Sequence, residues 1–136
     1  MKKTISLLLV VLTVVLMVAC SPAIPAGVNT DSAETKGKNV VEMLNQHNYE
    51  GIAASFRTDL QNTVNTADWA GIFDPKLAML GDFTEFKKVS VKTEASPETK
   101  ETVVLVEMEC TYANGSITYS AAFDKDEQLI GFFEKG

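Results

Sequence analysis

From Ile5 to Ala19 every position is apolar except Ser6 and Thr13. Such a run falls short of the roughly 20 residues that span a bilayer as a helix. Lys2 and Lys3 precede it and the small Ala19 ends it, the charge–apolar–small order of a secretory signal. The pattern then loses all period. From Ser21 to Gly37 the chain holds small residues, two prolines and two glycines. That composition predicts a flexible tether, of roughly 20–25 Å root-mean-square span by coil scaling.

A helical period follows. Val40, Val41 and Leu44 predict an apolar face on a first helix over about residues 38–46, ending in the polar run Asn45-Gln46-His47-Asn48. Asn48 is placed to cap a second helix, on which Tyr49, Ile52, Ala53 and Phe56 fall at i, i+3, i+4 and i+7. Asn65 or Thr66 caps a third, with Asp68 in its first turn and Trp69, Ile72, Phe73, Leu77 and Leu80 as its apolar set. Pro75 predicts a kink there, or a division into two short helices with Asp74 capping the second, and Gly81 predicts the stop.

The period then changes to two. Val89 and Val91 alternate with Lys88, Ser90 and Lys92 within residues 83–93. Residues 102–113, 116–124 and 128–134 also read as strands. Asn114-Gly115 predicts a two-residue type I′ hairpin turn. In that register Tyr112 pairs with Ile117, Cys110 with Tyr119, Met108 with Ala121 and Val106 with Phe123, all apolar or aromatic. The other side pairs Thr111 with Thr118, Glu109 with Ser120 and Glu107 with Ala122, which is mostly polar. One side is therefore buried and the other wet. Asp124-Lys125-Asp126-Glu127-Gln128 predicts the next turn. Alternation leaves two readings of the last strand, with either Leu129 and Phe133 or Ile130 and Phe132 inward. Helices first and a one-sided antiparallel sheet afterwards predict an α+β fold, with three helices on one face of about four strands.

Charge and cysteine content enter through the N-terminus. Met17-Val18-Ala19-Cys20 resembles the bacterial lipobox, with Met17 in place of the usual leucine. The resemblance implies a signal peptide over residues 1–19, cleavage before Cys20, a lipid on that cysteine, a tether over 20–37 and one domain over 38–136. The expected setting is the extracytoplasmic face of the cell membrane. Removing Lys2 and Lys3 leaves 10 basic against 18 acidic residues, a formal charge of −8. So acidic a domain lacks the clustered cations that bind nucleic acid. It is also repelled by anionic headgroups, which leaves the lipid as its contact with the bilayer. With Cys20 lipidated, Cys110 has no partner and no disulfide is expected.

The order of elements resembles the nuclear-transport-factor-2-like, or cystatin-like cone, fold. The run from Val40 to Phe133 resembles more closely the family called domain of unknown function 3887. The matching stretches are Asn48-Tyr49-Glu50 with Phe56, Trp69, Gly81-Asp82-Phe83 and residues 123–131. Glu127 stands where that family usually has glycine. The resemblance implies free-standing lipoproteins, or modules ahead of α/β-hydrolase domains, and brings no activity.

The candidate chemistry is sparse. Cys110 and His47 could form a nucleophilic pair, but Cys110 falls in the apolar stripe of a strand, where a thiol acts as a small hydrophobe. Asp124, Asp126 and Glu127 fail the EF-hand spacing, since its glycine and bidentate glutamate would be Leu129 and Lys135. Glu107 and Glu109 lie on a wet face. No catalytic residue, metal ligand or cofactor is predicted. Tyr49, Phe56, Trp69, Tyr112 and Tyr119 are the candidate lining of a pocket between helices and sheet, against the alternative of ordinary core. The reading that follows is a non-catalytic binding module for a small apolar ligand or an envelope protein. The alternative is a small cone-fold enzyme, of isomerase, dehydratase or hydrolase type, acting on an apolar substrate.

Overall fold

The structure is a computed structural model that describes residues 28–135. The signal segment, Cys20 and the tether up to residue 27 lie outside the described residues. Three helices, α1 (Thr30–Asn45), α2 (Tyr49–Ser55) and α3 (Thr66–Leu80), precede four strands, β1 (Phe83–Ala95), β2 (Thr102–Tyr112), β3 (Gly115–Phe123) and β4 (Leu129–Lys135). The strands form one antiparallel sheet in the order β1-β2-β3-β4. The fold is the expected α+β arrangement, a curved open sheet with the helices before it.

Helix α1 starts well before residue 38. Asn29 caps it by accepting from Ser32 N at 3.0 Å, and residues 30–37, expected within the tether, are helical. Ala33 and Gly37 are buried with Val40, Val41 and Leu44. A Cβ on Gly37 would stand 2.9 Å from Val106 Cγ1, so the missing side chain is what lets α1 lie close on β2. The helix ends in a Schellman motif: Asn48 N donates to Met43 O and His47 N to Leu44 O. His47 holds the left-handed position, φ 57°, which histidine tolerates better than most side chains.

Asn48 caps α2 and Asn65 caps α3, as expected. Pro75 neither divides α3 into two helices nor ends it. The bond it removes leads to Gly71, and both residues are exposed, so water reaches the freed carbonyl. On α3, Trp69, Phe73 and Leu77 form the inward row, four residues apart, whereas Ile72, expected inward, is 54% exposed.

The β2–β3 hairpin corrects the expected register. Tyr112 pairs with Gly115, Cys110 with Ile117, Met108 with Tyr119 and Val106 with Ala121. The turn residues are Ala113 and Asn114, and neither has positive φ. The reason lies outside the hairpin. Ala113 N donates to Asp82 O and Asn114 N to Leu80 O, while Asn114 Nδ2 donates to Met79 O. The turn is thus clamped to the α3–β1 junction, where Gly81 has φ 76°. A Cβ on Gly81 would stand 3.1 Å from Asn114 Nδ2. Because the slip is two residues, every side chain keeps its face. Val104, Val106, Met108, Cys110 and Tyr112 still point at the helices, with Tyr119, Ala121 and Phe123 of β3.

Neither simple alternation fits β4. Leu129 and Phe132 are buried and Phe133 is 48% exposed. Phe123 pairs with Leu129 but Ala122 with Gly131, and the irregularity at Ile130 switches the inward parity. The turn before β4 is closed by a buried acid: Asp124 Oδ1 accepts from Asp126 N and Gln128 N, each at 2.9 Å. Glu127 has φ 61°, in the left-handed region that favours glycine. Lys36 Nζ holds the glutamate here through its backbone oxygen and Oε2, each at 3.2 Å.

Candidate functional site

Of the five aromatic residues expected to line a pocket, Phe56, Trp69 and Tyr119 belong to one packed layer, whereas Tyr112 packs on Phe83 and Tyr49 on His47. Trp69 stands edge-on to Phe56, with ring centroids 6.0 Å apart. Phe132 stacks on Trp69 at 6.0 Å and on Tyr119 at 5.4 Å. Phe73 fills the corner between Trp69, Tyr119 and Phe132. Tyr119 is 0% and Phe56 7% exposed. Ring against ring is core packing, so this group serves as a hydrophobic centre for α2, α3, β3 and β4. Phe73 and Phe132 complete it. The sequence placed Phe73 on the right helix face, and it left Phe132 undecided because of the β4 irregularity.

The tyrosine hydroxyls lead toward one end of the molecule. Tyr119 and Tyr112 hydroxyls lie 3.4 Å apart, and Tyr112 donates to Asn45 Oδ1 at 2.6 Å. Burial pushes both tyrosines up from the usual phenol range. Tyr49 also donates its hydroxyl to Asp74 Oδ1, which His47 Nδ1 approaches at 2.7 Å. Burial pushes Tyr49 up, and the adjacent Asp74 carboxylate adds to it. Asp74 itself is held below the usual carboxylate range, first by the Tyr49 hydroxyl and then by His47. Three protonated phenols and one ionised carboxylate are a hydrogen-bonding set. Asp74 read in the sequence only as a helix cap, and Asn45 only as a polar helix end. Their meeting with tyrosines distant in sequence carries no local signal.

Cys110 and His47 are not brought together. Cys110 is fully buried on β2, its thiol 3.6 Å from Met108 O, whereas His47 sits on an exposed turn beside Asp74. Burial alone pushes the Cys110 thiol up to about 12. We expect no modification of Cys110 by iodoacetamide in the native protein near neutral pH and full modification in denaturant. Mass spectrometry checks this, and native labelling at the denatured rate would show that β2 opens. Among the described residues no group of three His, Cys, Asp or Glu side chains could hold a metal ion. Glu107 is the centre of an ion cluster on the outer sheet face, with Lys92 at 2.8 Å and Lys135 at 3.1 Å. Lys92 and Lys135 hold its carboxyl low.

Open space lies at the edges of the core. A groove of about 580 Å³ runs between α1 and the β3–β4 turn, floored by Val40, Met43, Phe123 and Leu129, with Lys36 and Glu127 on its rim. A notch of about 330 Å³ lies at the C-terminal end of α1, walled by Asn45, His47, Asp74, Asp82, Phe83 and Tyr112. Of the five expected pocket residues, Tyr112 reaches this notch, and Tyr49 borders a shallow recess beside His47.

Residues 37–132 match the family described as "Protein of unknown function (DUF3887)". No curated protein matches the chain. Among solved structures, the chain is similar to the "NMR structure of protein from Ruminococcus gnavus ATCC 29149". The TM-score is 0.70 at 23% identity, covering 81% of this chain and 94% of that one. At that identity the likeness speaks for the fold alone.

Proposed function

On the premise that the chain belongs to the DUF3887 family, we propose that it is a membrane-anchored extracytoplasmic lipoprotein. Its domain acts as a non-catalytic binding module for another protein of the envelope. We read its fold as one of the nuclear-transport-factor-2-like, cystatin-like cone group, from the order of three helices and a four-strand meander.

The observation that carries the non-catalytic reading is the aromatic interior. Where a cone-fold enzyme would keep a substrate chamber, Phe56, Trp69, Phe73, Tyr119 and Phe132 pack against one another. That packing also argues against an apolar ligand held inside, and it moves recognition to the surface.

The lipobox-like Met17-Val18-Ala19-Cys20 supports the anchor, and the start of α1 marks where the tether joins the domain. The segment from Cys20 to Val28 reaches at most about 28 Å when extended. Val28 borders the same small recess as Phe123 and Glu127, so the β3–β4 turn lies at the anchored end. From there α1, of 16 residues, runs about 24 Å along the domain.

Cys20→Ser should leave the domain folded and move it from the membrane fraction to the soluble fraction. Incorporation of an alkyne-tagged fatty acid should be lost in the same variant. A wild-type protein that takes no label, or a variant still sedimenting with membranes, would overturn the anchored reading.

A further inference from the structure

We propose that the free edge of β4, with the flank of α3 beside it, is the surface on which a second copy of this chain docks. The inference goes beyond the binding-module reading and does not depend on the lipid anchor.

The large apolar side chains left exposed among the described residues are Ile72, Met79 and Phe133. They are distant in sequence, yet all three border one sheet edge. β4 ends the sheet on that side. On α3, Ile72, Lys76 and Met79 fall at i, i+4 and i+7, one stripe of the helix, and Lys76 reaches Glu134 of β4. The stripe therefore runs beside β4 on the helix side of the sheet. Phe132 is buried against Trp69 and Phe73, so Phe133, the next residue, points to the outer sheet face. Exposed apolar groups thus flank the edge on both sides. Gathered around an unpaired strand, they mark a contact surface.

The two edges of the sheet differ. β1 carries Glu85, Lys87, Lys88, Lys92 and Glu94, and its register shifts twice, between Phe83 and Glu85 and between Phe86 and Lys88. Charges and bulges of this kind keep an edge from pairing. On β4, Arg57 N takes the carbonyl of Leu129 at 2.8 Å. Beyond that point no backbone group outside the sheet bonds to residues 131–135, among the described residues. Glu134 and Lys135 are each paired within the same copy, to Lys76 and Glu107.

The free stretch selects the occupant. Residues 131–135 centre on Phe133. Two such strands laid antiparallel about a two-fold axis place Phe133 opposite its own counterpart, a contact that is self-complementary and makes an aromatic cross-strand pair. On the inner face, α3 packs on Tyr119 of β3 and Phe132 of β4, so it sits over that strand pair. Its counterpart then stands two strand spacings away, about 10 Å, and helices pack at about 8–10 Å. A foreign strand would satisfy the backbone alone. A second copy brings its own α3 stripe and its own Phe133, and covers both flanks at once. The contact buries on the order of 1,000 Å² in total, the size of weak, reversible associations.

The test is sedimentation equilibrium of the full chain in a zwitterionic detergent, from about 10 µM to about 1 mM, where mass action populates a weak dimer. We expect a monomer–dimer equilibrium. Phe133→Lys sets like charges opposite each other at the axis, and Ile72→Glu puts an acid on the helix stripe. Both positions are exposed, and a thermal melt checks that each variant is folded. Each should weaken dimerisation at least about tenfold. Lys88→Glu, on the other edge, should leave it unchanged. Phe133→Cys in a Cys20→Ser background should give a disulfide-linked dimer under mild oxidation. Directly opposite residues stand about 4.5–5.5 Å apart between Cα atoms, within disulfide reach, and Cys110 is buried. A monomer at every concentration overturns the proposal and assigns the edge to a strand of another protein. A dimer that survives both Phe133→Lys and Ile72→Glu, or one that forms no disulfide at residue 133, overturns it as well. Fatty-acid labelling of the wild type reports the anchor separately.

Discussion

Trp69→Ala lowers the stability of the domain by about 3 kcal/mol, the lower end for loss of a large aromatic, because the indole is only partly buried. For a domain near 100 residues that shifts the melting temperature down by roughly 12–24 °C. The cost arises because the indole packs on three rings at once: Phe56 at 6.0 Å, Phe73 at 5.6 Å and Phe132 at 6.0 Å. These tie α2, α3 and β4 to one another, so the damage extends beyond a single helix. Phe56 also begins the stretch that meets β4, where Arg57 N donates to Leu129 O at 2.8 Å. A thermal melt of the variant that matches wild type would mean that α3 is not docked through this ring.

Gly37→Leu is expected to cost at least about 3 kcal/mol, the upper end for overpacking a core. An added Cβ alone would stand 2.9 Å from Val106 Cγ1 and 3.2 Å from Val106 Cβ, and Val106 is fully buried. A leucine must push α1 off β2. Gly37→Ala is the informative comparison. Alanine gains about 1 kcal/mol of helix propensity over glycine, and that gain offsets part of its own crowding, so its melt should fall below wild type by much less than that of leucine. Hydrogen exchange should show early opening of α1 in the leucine variant alone. Identical melts for wild type and Gly37→Leu would place residue 37 outside the packed helix.

These two positions differ in how well the sequence announced them. Trp69 lies on an apolar row of helical spacing, and Trp69, Phe73 and Leu77 pack where the spacing put them while Ile72 does not. Gly37 sits among Thr35, Lys36 and Lys38, a composition that reads as tether. Its role appears only when Val106, far along the chain, comes to lie beneath it. The hairpin shows the same division. Alternation in 104–112 and 115–123 identified the inward stripe. The register moved by two residues because Leu80, Met79 and Asp82 hold the turn. Period two survives a slip of two, so the faces were right although the pairs were not. In β4 a single irregularity at Ile130 defeated both alternating readings. The candidate pocket met a different difficulty. Five aromatics at core spacing look the same in sequence whether they line a space or fill it, and volume is a property of the assembled layers.

By itself the amino-acid order determined the class of the fold, the number and kind of its elements, the caps at Asn48 and Asn65, and the stripe of β2 and β3 that turns inward. Each follows from the geometry of a single helix or strand, whose period is written into neighbouring residues. The tertiary structure alone decided the start of α1, the hairpin register, the parity of β4 and the meeting of Asn45, Asp74, Asp82 and Tyr112 at one notch. Those depend on contacts between residues tens of positions apart, and such contacts leave no period in the chain to read.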